Sequence, residues 1–168
     1  KNVDFLIYCF SKYIKKSNLH IHLIIVGDGD NKYLDSLKKL THKLEVKNIV
    51  TFAGFNSEPD RVISAFDLMI APSNKEPFGR TLVEAMIQKT PILAARGGGH
   101  SEIINDEVTG RLYDHNNVDD FIDKCEIFFN NSESNYEIIN KANDTAYIKY
   151  SAHKHAENII QIYKNLSI

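Results

Sequence analysis

Glu76 and Glu84 are the residues whose type and spacing carry the most chemistry. They lie in the stretch Asn74-Lys75-Glu76-Pro77-Phe78-Gly79-Arg80-Thr81-Leu82-Val83-Glu84-Ala85-Met86. The Pro77 ring crowds the residue before it and disfavours helical geometry at Glu76. Gly79 permits a sharp turn at low cost. Beyond it Leu82, Ala85 and Met86 recur at helical spacing, so the loop becomes a helix near Arg80. The first turn of that helix leaves backbone N–H groups around Arg80, Thr81 and Leu82 without internal partners, and the helix dipole adds partial positive charge. Such a place binds an anion, and phosphate fits best. A carboxylate on either side would repel that phosphate unless it faced something else. Hydroxyl groups suit both glutamates, a sugar at one and a ribose at the other. The plainer alternative is that Glu76 only complements the helix start and Glu84 is solvated.

The elements that must position these residues can be read along the chain. Phe5, Leu6, Cys9, Phe10, Tyr13 and Ile14 repeat at three and four between Val3 and Lys16, an amphipathic helix. His20–Val26 is a nearly continuous apolar run ended by Gly27-Asp28-Gly29, which predicts a strand buried on both faces. Tyr33, Leu37, Leu40 and Leu44 mark a second helix, Asn48–Phe52 a strand, Glu58–Ala65 a helix and Asp67–Ala71 a strand. After the central helix come a strand at Pro91–Ala95, a short helix through Glu102–Ile104 and a weak strand at Gly110–Tyr113. Val118, Phe121, Ile122, Cys125, Phe128 and Phe129 make a strong helix, and two more follow over Glu133–Tyr150 and Ser151–Leu166. The last of these carries Ala156, Ile159, Ile160 and Tyr163 on one face, most of which is expected in the core. Strands alternating with helices predict an α/β domain built on a parallel sheet. Ligands of such sheets bind at the carboxyl ends of the strands, where the loop carrying Glu76 lies.

Composition narrows the class. A chain of 168 residues suits one domain, 1–168, with a substantial core. The net charge of −2 argues against a general nucleic-acid binder. No apolar run approaches the roughly 20 residues of a membrane span, and Lys1-Asn2-Val3-Asp4 leads into an amphipathic pattern rather than a secretory leader. Cys9 and Cys125 sit far apart in helical patterns and are expected as buried free thiols, which points weakly to a reducing compartment. The histidines show no metal-ligand spacing; His153 and His155 fall on different helix faces. No metal is expected.

Glu76 and Glu84 within E-P-F-G-x-x-x-x-E-A-M resemble the signature of family 4 retaining glycosyltransferases, the glycosyl transferases group 1 of GT-B architecture. The resemblance covers nearly the whole chain as the carboxy-terminal, Rossmann-like half of a two-domain enzyme. It implies that Glu76 bonds hydroxyls of a donor sugar and Glu84 those of a ribose. The N–H groups of Phe78, Gly79, Thr81 and Leu82 would meet sugar and diphosphate, with Arg80 beside them, and Lys1 would stabilise the departing diphosphate. Gly27 and Asp28 would lie near the nucleoside, and Gly54 and Phe55 would flank the base.

Three departures from the family pattern stand out. The family's first strand and its arginine have no counterpart before Lys1. Either upstream residues supply them or something else fills a gap in mid-sheet, where two rows of backbone would stay unpaired. Lys89 stands where a glycine commonly closes the motif helix. A lysine in left-handed geometry costs roughly 1 kcal/mol, so a different helix end is expected. Ser101 replaces the usual proline of the Gly-Gly-x-Pro-Glu-Ile segment, which predicts a looser turn.

The function implied is transfer of a hexose from a UDP-, GDP- or ADP-sugar to an acceptor hydroxyl with retained configuration, in polysaccharide or glycolipid assembly. No cofactor or metal is implied, and the isolated domain is expected to be inactive. The acceptor, a saccharide or lipid-linked saccharide, would meet an N-terminal domain outside this sequence. A cytoplasmic place is implied, with the inner face of the membrane open to the full enzyme. The rivals are a GT-B enzyme of another reaction, such as an epimerase or a phosphorylase-like protein, and a non-catalytic nucleotide-binding or interaction module.

Overall fold

The computed structural model describes residues 1–166. Its helices and strands alternate: α1 Val3–Lys16, β1 Leu23–Val26, α2 Asn31–Lys43, β2 Val50–Gly54, α3 Pro59–Ser64, β3 Met69–Ala71 and α4 Arg80–Ile87. Then follow β4 Ile92–Ala95, α5 Gly98–Ile103, β5 Arg111–Tyr113, α6 Val118–Asn130, α7 Ser132–Tyr150 and α8 Ala152–Leu166. All strand pairings between these elements are parallel, as the alternation predicts.

The strands form two groups, β1-β2 and β3-β4-β5. In β4 the side chains alternate between two cores. Leu93 and Ala95 join α1, α2 and α6 on one face, and Ile92 and Ala94 join α4 and α7 on the other. All four residues are buried, which is why this strand reads as an unbroken apolar run. Helix α1 packs against both strand groups at once, since its core cluster contains Leu23 and Val50 as well as Leu93, Ala95 and Tyr113. The two groups therefore stand side by side under one helix without hydrogen bonds between them, the division expected if one central strand is missing between β1 and β3.

That division corrects one expectation. β1 is not buried on both faces: Leu23 and Ile25 face α1, whereas Ile24 and Val26 are exposed. With Ala53, Val62 and Phe66 they line an open groove of about 390 Å³. A run of apolar residues does not distinguish a strand covered twice from one covered once. A chain extended upstream of Lys1 by an apolar strand is expected to protect the amides of β1 and β3 from hydrogen exchange by tenfold or more. Equal exchange in both forms would mean that the gap is not a strand site.

Two further expectations change. Lys89 does adopt left-handed geometry, with φ 57°. Its N–H donates to Met86 at 3.2 Å and that of Thr90 to Ala85 at 2.9 Å, the two bonds that close a helix around a left-handed residue. The Thr90 hydroxyl then donates to Ile63 at 2.9 Å in the interior, so the anchored turn imposes the conformation on the lysine. Lys89→Gly is expected to raise stability by about 1 kcal/mol in urea denaturation. The apolar face of α8 is not core. None of its described residues is buried, and Ile160, Ile162 and Leu166 are exposed. Among the described residues no helix is long and apolar enough to cross a membrane.

Cys9 and Cys125 are buried free thiols, as expected. Burial pushes the Cys9 thiol up to about 12 and raises Cys125 further. Neither is a nucleophile near neutral pH.

Candidate functional site

The Glu76 loop leaves the carboxyl end of β3 and rests backbone to backbone on the start of α5. The Gly99 N–H donates to the Glu76 carbonyl at 2.8 Å. A Cβ on Gly99 would lie 2.2 Å from the Phe78 carbonyl oxygen, and one on Gly98 would lie 2.7 Å from that of Glu76. Only glycine lets the start of α5 come this close. Ser101 tightens this turn rather than loosening it, because its hydroxyl accepts from the Gly97 N–H at 2.9 Å, a bond proline could not make. Below the turn, Arg96 at the end of β4 donates to Asp106 at 2.6 Å and Asp114 at 3.0 Å. Burial alone would raise the Asp106 carboxyl, but the Leu112 N–H and the Arg96 guanidinium outweigh it and hold the group below its ordinary value. This brace weakens as pH falls through that lowered value.

Gly79 turns the chain into α4 with φ 92°, and no side chain caps the helix. The buried His100 ring supports that turn: it sits 3.3 Å from where a Gly79 Cβ would be and places Nδ1 3.0 Å from the Ala95 carbonyl oxygen. Leu82 is buried in the core and its N–H donates to the Gly79 carbonyl at 2.9 Å. The open donors of the first turn are therefore at Arg80 and Thr81. Phe78 is half-exposed, with its ring set edge-on to Tyr150 at 6.1 Å.

Each glutamate carries its own cation. Lys1 Nζ donates to Glu76 Oε2 at 2.5 Å, across 75 residues of chain. Arg80 Nε donates to Glu84 Oε1 at 2.9 Å, one helical turn along. Both carboxylates are mostly covered, with side-chain exposures of 22% and 19%. Lys1 and Glu76 line a cleft of about 460 Å³ together with Asn2, Ser73, Asn74, Lys75 and Pro77. The Asn2 amide donates to the Pro72 carbonyl at 3.3 Å, which pins the start of the chain to the end of β3.

The remaining predicted residues form a second group, at the ends of β1 and β2. The Gly27 N–H donates to the Gly54 carbonyl at 2.8 Å, and the Phe55 N–H donates to Asp28 Oδ1 at 3.1 Å. Asp28 thus ties two loops together, and Phe55 projects into solvent. No hydrogen bond or ion pair among the described residues joins this group to the Glu76–Glu84 group.

The family model described as glycosyl transferases group 1 matches residues 1–145. The chain belongs to this family. It is 31% identical over 166 residues to an uncharacterised glycosyltransferase of Methanocaldococcus jannaschii, covering 98% of this chain and 42% of that protein. It is 30% identical over 167 residues to the poly(ribitol-phosphate) alpha-N-acetylglucosaminyltransferase of Staphylococcus aureus, covering 99% and 32%. The crystal structure of Anabaena HepE in complex with UDP-glucose superposes with a TM-score of 0.85 at 24% identity, over 94% of this chain and 44% of that one. The fold is thus that of the carboxy-terminal half of GT-B enzymes. The chain spans less than half the length of these relatives.

For this group 1 glycosyltransferase chain, two site features escaped the sequence. His100 follows the triplet Gly97-Gly98-Gly99 in the chain, and its place under Gly79 depends on a contact across the fold. What the triplet packs against, the Asn74–Phe78 backbone, is likewise set by the fold and not by local sequence. Gly99→Ala is expected to cost about 1–3 kcal/mol in urea denaturation, through overpacking against the Phe78 carbonyl. A variant as stable as the parent would mean that the Glu76 loop does not rest on this contact.

Proposed function

We propose that this chain is the donor-binding half of a retaining glycosyltransferase that takes its sugar from a nucleoside diphosphate. The observation that carries the reading is the placement of two covered carboxylates on either side of an uncapped helix start. Glu76 accepts hydrogen bonds from hydroxyls of the donor sugar, and Glu84 from the ribose diol. The diphosphate lies against the N–H groups at the start of α4. UDP-glucose in the complex of the Anabaena relative supports this class of ligand.

In the reaction the bond from the anomeric carbon to the diphosphate oxygen breaks, and its electron pair stays on that oxygen. Preorganised positive charge at that point lowers the barrier. Lys1 Nζ, which pairs with Glu76 in the free protein, supplies it by moving to the phosphate, assisted by the helix start. The acceptor hydroxyl then bonds to the anomeric carbon, and its proton passes to the departing diphosphate oxygen that holds the electron pair. Because lysine and backbone donors meet the phosphate charge, the site needs no metal ion. The acceptor comes from a second domain, so this chain binds donor but turns over little, since the half-sites must meet for reaction. Assembly of a polysaccharide or glycolipid is the pathway class that fits.

The test is calorimetric titration with UDP, GDP and ADP, of this chain and of a form extended upstream. One nucleotide is expected to bind clearly best, and Glu84→Ala is expected to weaken it several-fold or more. Unchanged affinity in Glu84→Ala would remove the ribose role. Failure of all three nucleotides at millimolar concentration would favour a non-catalytic interaction module instead.

A further inference from the structure

Arg80 is the residue of the site whose part is still open. Its side chain is 82% exposed, yet its Nε is committed to Glu84 Oε1 at 2.9 Å. Residues four apart share one face of a helix, one turn of about 5.4 Å along the axis. If Glu84 holds the ribose, a diphosphate running from that ribose to the start of α4 must pass along the face that carries Arg80. The guanidinium is a planar fork with five N–H donors. One is used on Glu84, and both Nη groups make no hydrogen bond to any described residue. Glu84 Oε2 is likewise left open.

Resting on the donor reading above, we propose that Arg80 joins the two ends of the nucleotide site as a positioning residue. Nε–H holds the Glu84 carboxylate toward the ribose while the Nη groups bond the diphosphate. The arrangement needs arginine in particular. A lysine offers one nitrogen, which cannot hold a carboxylate in a fixed orientation and contact phosphate with a second planar edge. It also accounts for a cation on the nucleotide face beside a carboxylate that must stay accessible: the pair uses one oxygen and leaves the other for a hydroxyl.

The experiment compares Arg80→Ala and Arg80→Lys with wild type, in this chain and its upstream-extended form. The probes are whichever of UDP, GDP and ADP binds best, and the matching nucleoside, measured by competition. Arg80→Ala is expected to weaken the diphosphate about tenfold, the scale of one charge-assisted hydrogen bond. The nucleoside should weaken by about threefold or less. Arg80→Lys is expected to recover part of the diphosphate loss, as the charge returns, but none of the nucleoside loss. Circular dichroism checks that α4 stays folded, which an exposed side chain should permit.

Wild-type binding with Arg80→Ala unchanged for both probes would overturn the proposal and leave the donor reading intact. Equal losses for nucleoside and diphosphate would overturn the diphosphate contact and leave Arg80 acting only through Glu84. No nucleotide binding by the wild type would take down the donor reading and this inference together.

Discussion

The contact between two stretches of bare backbone, Gly97–Gly99 on one side and the Asn74–Phe78 loop on the other, is the constraint on which the site depends. Backbone meets backbone at distances that leave no room for a single methyl group at Gly98 or Gly99. That closeness ties the end of β3 to the end of β4 and fixes where the chain can turn into α4. It thereby sets the orientation of the first helical turn and of both glutamates. The loop itself contains little that would hold its shape alone. Its rigidity is borrowed from α5, and that of α5 from the Arg96–Asp106–Asp114 brace beneath it.

Charge is arranged on the same economy. The chain is nearly neutral overall, and the site is not a basic patch. It alternates two carboxylates with two cations around a set of open N–H donors. Each carboxylate is covered by protein and paired, which aims it without burying an unpartnered charge. Each cation is mostly exposed and therefore free to change partner. A site of this kind can accept a ligand that is both anionic and rich in hydroxyls by exchanging ion pairs rather than creating charge.

Much of this was legible in the sequence where the signal is local. The spacing of Phe5 to Ile14 gives α1 its limits, and the Pro77–Gly79 punctuation gives the turn into α4. What failed depended on neighbours. The apolar run at β1 looks the same whether one face is covered or two. Ile159 and Ile160 have core spacing, but spacing alone does not say whether a surface receives them, and here they stay out of the core. Lys89 was judged by its own preference, whereas Thr90, bonded into the interior, dictates the turn. The Lys1–Glu76 pair spans 75 residues, and only the family resemblance brought the two together beforehand.

The open place between β1 and β3 reaches the site through one residue. Asn2 is bonded to the end of β3, and Lys1, beside it, reaches Glu76. A strand entering the gap would run straight into Lys1 and, on the proposed donor reading, fix the lysine's backbone beside the departing diphosphate. Closure of the sheet and capture of the donor are then linked equilibria. By reciprocity, whatever factor the strand adds to nucleotide affinity, the nucleotide returns to the strand's hold on the sheet.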